Sequence, residues 1–316
     1  MLLDRLLTAL EVSVDPFAIC DVRAGWRLQM PPVGSVGLHY VLRGGGELIV
    51  PGGARTAFGP RSLIVVPPGS PHRIEPDGGA RTVFDVGAAC RRPSPGVRAL
   101  VAGEGEEVLL LACGNVRATY AGGVNLFAHL RAPLVVRFNR AELAIETAFT
   151  GLLEEQARPG PGTDAMMSAY MTQGLIAMVR RVYRDSEALR EGAADESIDA
   201  ASLRWLSALD DPRLARALAR MLEAPGESHT LESLAKIAGM SRSSFSEHFA
   251  ATFGVSPMEL LRETRLRRAA QLLRTSDRPI KTIAAEVGFS SRSHFSRAFK
   301  SFTGSEPTQY RARPDS

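Results

Sequence analysis

Two segments near the C-terminal end carry polar side chains at a spacing suited to reading DNA. Residues 234–257, LAKIAGMSRSSFSEHFAATFGVSP, and residues 283–307, IAAEVGFSSRSHFSRAFKSFTGSEP, form a weak internal repeat. The second copy has one extra residue after its turn. In each copy a Gly-containing turn joins a short apolar segment to one with a polar face, as in a helix-turn-helix. Arg can pair with guanine O6 and N7, and Ser hydroxyls reach bases or phosphates. The repeat therefore predicts two helices that bind two segments of duplex DNA.

The residues predicted to contact DNA lie on the outward faces of the second helix in each segment. Phe recurs every four residues from Phe245 to Phe253 and again from Phe295 to Phe299, so these rings must face inward. A carboxylate is repelled by phosphate, so Glu247 is not expected to contact the DNA backbone. Its side chain is expected to accept a hydrogen bond from a cytosine amino group or to pair with another residue of the chain. The predicted DNA-contacting residues are Ser241, Arg242, Ser243, Ser246, Glu247, Ser290, Arg292, Ser293, Ser296, Arg297 and Lys300.

Capping signals set the limits of the helices that must hold the first group of side chains. Thr230 can cap a helix over Leu231–Ala238, and Ser241 can cap the next helix, Arg242–Phe253. Gly239 turns the chain between them, because Gly tolerates a positive φ.

The second segment follows the same order, and a spacer separates the two. Helix Ile280–Val287 precedes a turn, after which Ser290 can cap Ser291–Phe302. Between the segments, Ser256–Glu259 combines an N-cap, an N1 proline and a capping-box Glu, and opens a helix to about Leu273. A rigid spacer could place both reading helices on one face of B-DNA, whose helical turn measures about 34 Å.

The charge distribution places the expected phosphate-binding surface in the C-terminal part. Residues 200–316 hold 18 Lys and Arg against 12 Asp and Glu, whereas residues 1–199 hold 20 against 22. The basic excess therefore coincides with the repeat, as expected for a nucleic-acid partner.

Composition excludes several other classes of protein. The 316 residues suffice for two domains, and no run of about 18 apolar residues predicts a membrane span. The first residues, MLLDRLLTALEV, look like an amphipathic helix and not a signal peptide. Cys20, Cys90 and Cys113 are odd in number and lack CxxC spacing, so we expect thiols in a reducing cytoplasm.

The N-terminal part has the pattern of short strands followed by helices. The runs GLHYVL, GELIVP, RSLIVVPPG and ARTVFDVG within residues 13–120 predict strands of an antiparallel sandwich or barrel. Helices are predicted over residues 141–157 and 164–184, and residues 186–199 are the predicted linker. The second helix carries the apolar stripe Met167, Met171, Leu175, Met178 and Val182, which suits either burial in its own chain or a dimer seam.

Residues 205–313 resemble the DNA-binding domain of the AraC/XylS family of transcription regulators. The resemblance lies in LAKIAGMSRSSFSEHFAATFGVSPMELLRETRLRRAAQLL and IKTIAAEVGFSSRSHFSRAFKSFTGSEPTQYR, above all in GFSSRSHFSRAFK. It implies two helix-turn-helix units that a long helix joins and that read successive major grooves. The reading residues implied are Ser243, Ser246 and Glu247, then Arg292, Ser293, Ser296 and Arg297. The first set is small or acidic where some members carry larger donors.

Residues 13–120 resemble the cupin-type sensor domain that precedes many such DNA-binding domains. The resemblance rests on HYVLRGGGELIV and on RSLIVVPPGSPHRI, with its P-x-G-x-x-H element at Pro67, Gly69 and His72. Metal-using cupins need His-x-His plus Glu, whereas the first region here offers only His39. Because three or four ligands are needed, we expect no metal, no cofactor and no catalysis.

A cupin without metal can still hold a small effector. Arg23 and Arg27 lie four apart, so on one strand they would share a face and suit a carboxylate or phosphate. The open alternatives are a small carboxylate or other metabolite, a cyclic dinucleotide (whose receptors use a similar R-x-x-x-R motif), or no effector at all. The predicted effector-binding residues are Arg23, Trp26, Arg27, His39, Arg43 and His72.

The sequence therefore predicts an α+β protein of two domains. Residues 1–185 form a cupin-like antiparallel β-barrel or sandwich (about 13–120) with two helices (about 141–185), and residues 200–316 form an all-α domain. The latter contains helix-turn-helix units over 231–253 and 280–302. We expect a cytoplasmic, homodimeric regulator that binds promoter DNA and a small effector, with a carboxylate or other anion as the first candidate. A constitutive DNA-binding protein with a purely dimerising barrel and a cupin enzyme with a DNA-binding appendage are the alternatives.

Overall fold

The computed structural model describes residues 7–8, 10–53, 55–89, 98–120, 124–127, 130, 132–190, 211–253 and 255–312. The chain divides into two compact units. One comprises Val12–Ala118 and Leu130–Leu206, and we call it the sheet domain. The other groups Ser207–Ser316 with Met1–Glu11 and Thr119–His129, and we call its Ser207–Ser316 part the helical domain.

The strands fall where alternating or continuous apolar residues meet turn residues, and the four runs predicted as strands are confirmed. In chain order they are β1 (Leu10–Val14), β2 (Ala18–Arg23), β3 (Gly25–Met30), β4 (Val36–Arg43), β5 (Gly46–Ile49), β6 (Arg55–Phe58), β7 (Ser62–Val66), β8 (His72–Pro76), β9 (Ala80–Asp85), β10 (Arg98–Ala102), β11 (Glu107–Tyr120), β12 (Val124–Asn125) and β13 (Leu134–Arg137).

These strands form two sheets, and the described strands do not close into a barrel. One sheet has the order β10-β2-β11-β4-β7-β13, with β1 and β12 also paired to β11, and the other has the order β6-β5-β8-β3-β9. The expectation of a purely antiparallel arrangement is wrong at two edges, because β10 runs parallel to β2 and β9 runs parallel to β3. Both edge strands return to the sheets after long excursions of the chain, which permits parallel pairing.

A shared apolar core joins the inner faces of the two sheets. Val22 and Leu111 from the first sheet and Leu28 and Ile74 from the second are fully buried in one cluster. Burial of side chains from both sheets in one layer is the usual packing of a β-sandwich.

In the residues that the structure describes, the sheets are accompanied by α1 (Val86–Ala89), α2 (Leu143–Ala157) and α3 (Thr163–Arg190). The apolar stripe from Met167 to Val182 on α3 is buried within its own chain, as the first of the two alternatives for it predicts. Helix α3 also continues past the predicted end at residue 185. Arg181 and Asp185 form an ion pair at i,i+4 near that end, and no Gly or Pro lies between Gly174 and Gly192. Residues 191–199 of the predicted linker lie outside the described residues.

Gln156 ties α2 to the chain before β2. Its side chain accepts a hydrogen bond from Phe17 N at 2.7 Å and donates one to Phe17 O at 2.6 Å. Phe17 also meets Phe149 edge to face, and Tyr40 of β4 stacks on Phe149 with ring centroids 4.4 Å apart. A shift of the Phe17 backbone would therefore displace Gln156 and with it α2.

In its described residues, the helical domain holds two helix pairs around a long central helix, with one further helix before them and one after them. Its elements are α4 (Pro212–Glu223), α5 (Leu231–Ala238), α6 (Arg242–Phe253), α7 (Pro257–Thr275), α8 (Ile280–Glu286), α9 (Arg292–Thr303) and α10 (Pro307–Ala312). Thr230 caps α5 and Ser256 caps α7 as predicted, and Asp211 caps α4, each by accepting a backbone N–H. The 19 residues of α7 span about 28 Å.

The capping residue of α9 differs from the prediction by one position. Ser291 accepts the N–H of His294, so the predicted cap at Ser290 is wrong. The extra residue of the second repeat lies in its turn. Ser291 therefore precedes Phe295 by the same four positions that separate Ser241 from Phe245.

Candidate DNA interface and sheet-domain cavity

Helix α9 presents a basic face to solvent while its other face is buried. Arg292, Arg297 and Lys300 are exposed, and Phe295 and Phe299 are fully buried in a core with α7 and α8. Lys300 forms an ion pair with Glu306 at 3.0 Å. In the part of the chain that the structure describes, no carboxylate pairs with Arg292 or Arg297. Their guanidinium groups are therefore available to bases or phosphates.

The corresponding face of α6 is less basic. Arg242, Ser243 and Glu247 are exposed, and Ser246 is half-buried. Ser241 accepts the N–H of Ser244, which begins the helix. None of the described residues forms an ion pair with Glu247. These residues therefore do not support the alternative in which Glu247 pairs within the chain.

Serine positions on the two helices are matched. Ser290 and Ser293 are exposed, whereas Ser296 on α9 is half-buried like Ser246 on α6. The two half-buried serines lie one residue after Phe245 and Phe295, next to the buried stripe. Their hydroxyls are therefore less accessible than the other predicted contacts.

A clamp within the helical domain joins α7 to the loop between α4 and α5 and to the turn before α9. Arg265 on α7 donates hydrogen bonds from Nε to Pro225 O and from a terminal nitrogen to Glu227 O, each at 2.7 Å. Burial lowers the pKa of this guanidinium. Gly226 in the same loop packs so tightly that a Cβ would lie 2.1 Å from Glu286 O. A Cβ at Gly288 would likewise lie 2.8 Å from Gly226 O and from Arg265 Cζ, so α7, this loop and the turn before α9 are packed together.

A cavity of about 210 Å³ opens into the sheet domain. Its described walls come from β2, β3, β4, β8, β10, β11, α1 and the turns around them, and are largely apolar. The lining residues are Pro16, Ala18, Cys20, Met30, Pro31, Val33, Gly37, His39, His72, Val86, Gly87, Leu100, Cys113, Gly114 and Asn115. The predicted effector residues His39 and His72 are both in this wall.

His39 and His72 form one buried hydrogen-bonded pair. Their Nε2 atoms lie 2.8 Å apart, and His72 Nδ1 lies 3.1 Å from the backbone oxygen of Ser70. A carbonyl only accepts, so His72 Nδ1 carries the proton and its Nε2 is a bare acceptor. His39 Nε2–H must then donate to it, which leaves His39 Nδ1 as an acceptor. No described residue donates to this buried atom.

Burial keeps both imidazoles neutral. It lowers the pKa of His39 well below the ordinary value, and the charge that His72 would carry lowers it further. Burial also lowers the pKa of His72, although its hydrogen bond to Ser70 opposes this. A neutral pair in an apolar wall offers hydrogen bonding without charge.

The arginines predicted to bind an anion do not line the cavity. Gly25, with a φ of 79°, ends β2 and starts β3 in the other sheet, so Arg23 and Arg27 do not share the face of one strand. Arg23 forms an ion pair with Asp21, and Arg27 forms one with Glu75 at 3.3 Å. The prediction of a two-guanidinium anion site is therefore wrong in its geometry.

The remaining predicted effector residues also lie outside the cavity wall. Arg43 is largely exposed and pairs with Glu107 at 3.0 Å. Trp26 packs against the apolar core, where Gly103 leaves it room, because a Cβ at Gly103 would lie 2.2 Å from the indole. Both side chains therefore have structural contacts of their own.

Cys20 and Cys113 also line the cavity, which their positions in the sequence did not indicate. Cys113 lies directly opposite His39 in the pairing of β11 with β4, and Leu111 lies opposite Cys20 in the pairing of β11 with β2. Both thiols are buried in the common core and are not joined in a disulfide. The alternation of side chains along β11 predicts that Leu111 and Cys113 share one face. It does not predict which strands pair with β11 on either side.

Comparison with known proteins decides the family. A profile described as Cupin matches residues 2–184, and one described as Helix-turn-helix domain matches residues 234–313. A putative AraC-like transcription regulator of Streptomyces antibioticus is 31% identical over 233 residues, which cover 73% of this chain and 71% of that protein. This chain belongs to the AraC-like transcription regulators. It is a DNA-binding regulator in which a cupin domain precedes a helix-turn-helix domain.

Further similarities extend over both domains or over the helical domain alone. The RCS-specific HTH-type transcriptional activator RclR of Escherichia coli K12 is 27% identical to this AraC-like regulator over 277 residues, covering 87% of this chain and 84% of that protein. The solved DNA-binding domain of AdpA in complex with a target DNA is 36% identical, covers 32% of this chain and 90% of that chain, and gives a TM-score of 0.31.

Two further features concern metal and membrane. In the parts of this AraC-like regulator that the structure describes, no three His, Cys, Asp or Glu side chains are grouped so that they could hold a metal ion. No helix in those same parts combines the length and apolar character that crossing a bilayer requires.

Proposed function

We propose that this regulator reads two adjacent segments of promoter DNA with α6 and α9, under the control of a small effector bound in the sheet domain. The DNA part of this proposal rests on Arg292 and Arg297, which are exposed and form no ion pair with any described residue. They lie on a helix whose opposite face is buried through Phe295 and Phe299. In this proposal α5–α6 and α8–α9 are two helix-turn-helix units, and α7 is the spacer between them.

The two reading helices have different roles in this proposal. Helix α9 brings three cationic side chains and supplies most of the affinity through phosphate and guanine contacts. Helix α6 brings one arginine, small hydroxyls and Glu247, so it contributes discrimination more than affinity. Glu247 accepts a hydrogen bond from a cytosine amino group, because a carboxylate repels phosphate.

Control by an effector is supported by the cavity in the sheet domain, and catalysis is not part of the proposal. His39 and His72 hydrogen-bond to each other, which supports a binding role for the pair. Because the proposed partner is promoter DNA, we place the action of the protein in the cytoplasm.

A homodimer is the proposed assembly, but the α3 stripe is not its seam, since that stripe is buried in its own chain. Leu143 on α2 and Met166 on α3 leave apolar side chains exposed in the sheet domain. Light scattering of the full-length protein tests the assembly. We expect the mass of two chains for the wild type and of one chain for a Leu143→Glu, Met166→Glu variant.

Competition binding tests the DNA proposal directly. Fragments bound by the full-length protein are measured against excess unrelated duplex, with wild type and with an Arg292→Ala, Arg297→Ala variant. We expect a preferred sequence for the wild type and loss of that preference for the variant. Equal binding of all duplexes by the wild type would contradict sequence-specific regulation.

A further inference from the structure

We propose that the cavity in the sheet domain binds a small, uncharged and mostly apolar molecule that donates one hydrogen bond to the His39–His72 pair. This inference rests on the proposed function, because it names the class of effector that would control DNA binding. It replaces the anionic effector expected from the sequence.

The charges around the cavity exclude an anion on energetic grounds. None of its described lining residues is Asp, Glu, Lys or Arg. Arg23 and Arg27 are engaged with carboxylates elsewhere in the domain. A carboxylate or phosphate in this wall would lose its hydration without gaining a counter-charge, which is strongly unfavourable.

The hydrogen-bonding requirement follows from the tautomers of the pair. His72 donates its one N–H to Ser70 O, and His39 donates its one N–H to His72 Nε2. His39 Nδ1 therefore remains an acceptor without a donor among the described residues. His39 lines the cavity, with 2% of its surface exposed. A ligand O–H or N–H would satisfy this acceptor, whereas a ligand without a donor would leave it unmet.

The volume limits the size of the molecule. An apolar cavity of about 150 Å³ accommodates benzene, so the 210 Å³ here suits one or two small rings, or about eight to ten non-hydrogen atoms. Ala18, Met30, Val33 and Leu100 provide apolar surface for such a body. Indole has this size and one N–H, and indene has the same shape without the donor.

Contacts on the cavity wall provide a route to the helices of the same domain. Pro16 and Gly114 line the cavity, and Phe17 packs so closely on Gly114 that a Cβ there would lie 2.4 Å from its ring. The backbone of Phe17 is held by Gln156 of α2. A molecule that presses on this wall would therefore bias the position of α2.

Calorimetry on the full-length protein tests the inference with indole, indene and benzoate as probes. We expect saturable binding of indole, at least tenfold weaker binding of indene, and no binding of benzoate. His39→Leu should abolish the preference for indole over indene. Benzoate binding as tightly as indole, equal binding of indole and indene, or no binding of indole would each overturn the inference.

A second variant keeps the test independent of the folding of His39→Leu. A methyl group at Gly37 would lie 3.8 Å from His39 Nε2 and 3.6 Å from Val66 Cβ, both ordinary contacts, so Gly37→Ala should fold. Because the methyl occupies space beside the pair, it should weaken indole at least tenfold. Unchanged indole affinity would show that the probe binds elsewhere.

DNA binding by the same samples separates this inference from the proposed function. Sequence-specific DNA binding without probe binding would refute the ligand class and leave the DNA-reading proposal standing. Probe binding that follows the expected order, together with DNA binding that lacks sequence preference, would support the ligand class and contradict the regulator proposal.

Discussion

The Nε2 atoms of His39 and His72 lie 2.8 Å apart, so two imidazoles from different sheets act as one neutral hydrogen-bonded unit. His39 belongs to β4 and His72 begins β8. The contact therefore crosses the core between the sheets and joins their inner faces at the cavity.

Burial of this pair makes the stability of the sheet domain depend on pH. The pKa of each histidine is lowered in the folded state, so the unfolded chain binds protons that the folded chain excludes. Stability is therefore full above pH of about 6.5 and falls as pH drops below it, by up to about 1.4 kcal/mol per pH unit for each histidine. Urea unfolding between pH 7.5 and 5.5, followed by Trp26 fluorescence in a Trp205→Phe background, measures this slope.

The matched variants assign that slope to the pair. His39→Leu with His72→Leu should flatten it, whereas His248→Gln, which changes an exposed histidine of the helical domain, should not. A slope that persists in the double variant would mean that other groups cause it.

Two glycines at the same place in the two helix pairs should respond differently to alanine. Gly239 and Gly288 have φ values of 66° and 86°, so both substitutions incur the strain of the left-handed region, about 1–2 kcal/mol. At Gly239 the methyl meets nothing within 4 Å, but at Gly288 it would lie 2.8 Å from Gly226 O and from Arg265 Cζ. Thermal unfolding should show a larger loss of stability for Gly288→Ala. Equal losses would argue against the clamp.

Arg297→Ala should weaken binding to the preferred duplex by about 1–3 kcal/mol and leave binding to unrelated duplex nearly unchanged. The reason is that a guanidinium bonded to a guanine discriminates, whereas one bonded to phosphate does not. Fluorescence anisotropy on both duplexes at fixed salt measures the difference. Arg220→Ala is the control, because Arg220 is on α4 and pairs with Glu227. A uniform loss on both duplexes would reassign Arg297 to phosphate.

Arg265→Ala should loosen the spacing between the two DNA elements without removing any proposed base contact. The variant loses both hydrogen bonds to the loop at Pro225 and Glu227, so the loop before α5 is less firmly held to α7, and we expect the α5–α6 pair to be less firmly placed relative to α9. Binding to duplexes with one base pair inserted or deleted between the elements should fall less than for the wild type. Arg262→Ala, an exposed change on the same helix, should behave as wild type. Unchanged spacing tolerance in Arg265→Ala would refute the positioning role.

The helical domain was largely predictable because its signals are local. Caps at Thr230 and Ser256 and the four-residue Phe spacing each act within one or two turns of helix. The cap of α9 was misplaced at Ser290 because two adjacent serines offer the same chemistry. Only the distance to Phe295 distinguishes Ser291, and this depends on where the extra residue of the repeat lies.

The cavity was less predictable because its walls come from residues far apart in the chain. His39 and His72 were expected there from the cupin resemblance, but nothing local to either residue indicates that they bond to each other. Arg23 and Arg27 were misplaced because Gly25 takes a positive φ and turns one apparent strand into two. Local spacing cannot reveal which sheet each half then joins.

Selection of bound duplexes from a random library by the full-length protein tests the central claim most directly. We predict an enriched sequence with two elements about one helical turn, or 10–10.5 base pairs, apart, as two reading helices on one rigid spacer require. Enrichment of a single short element, or of no sequence, would contradict the account.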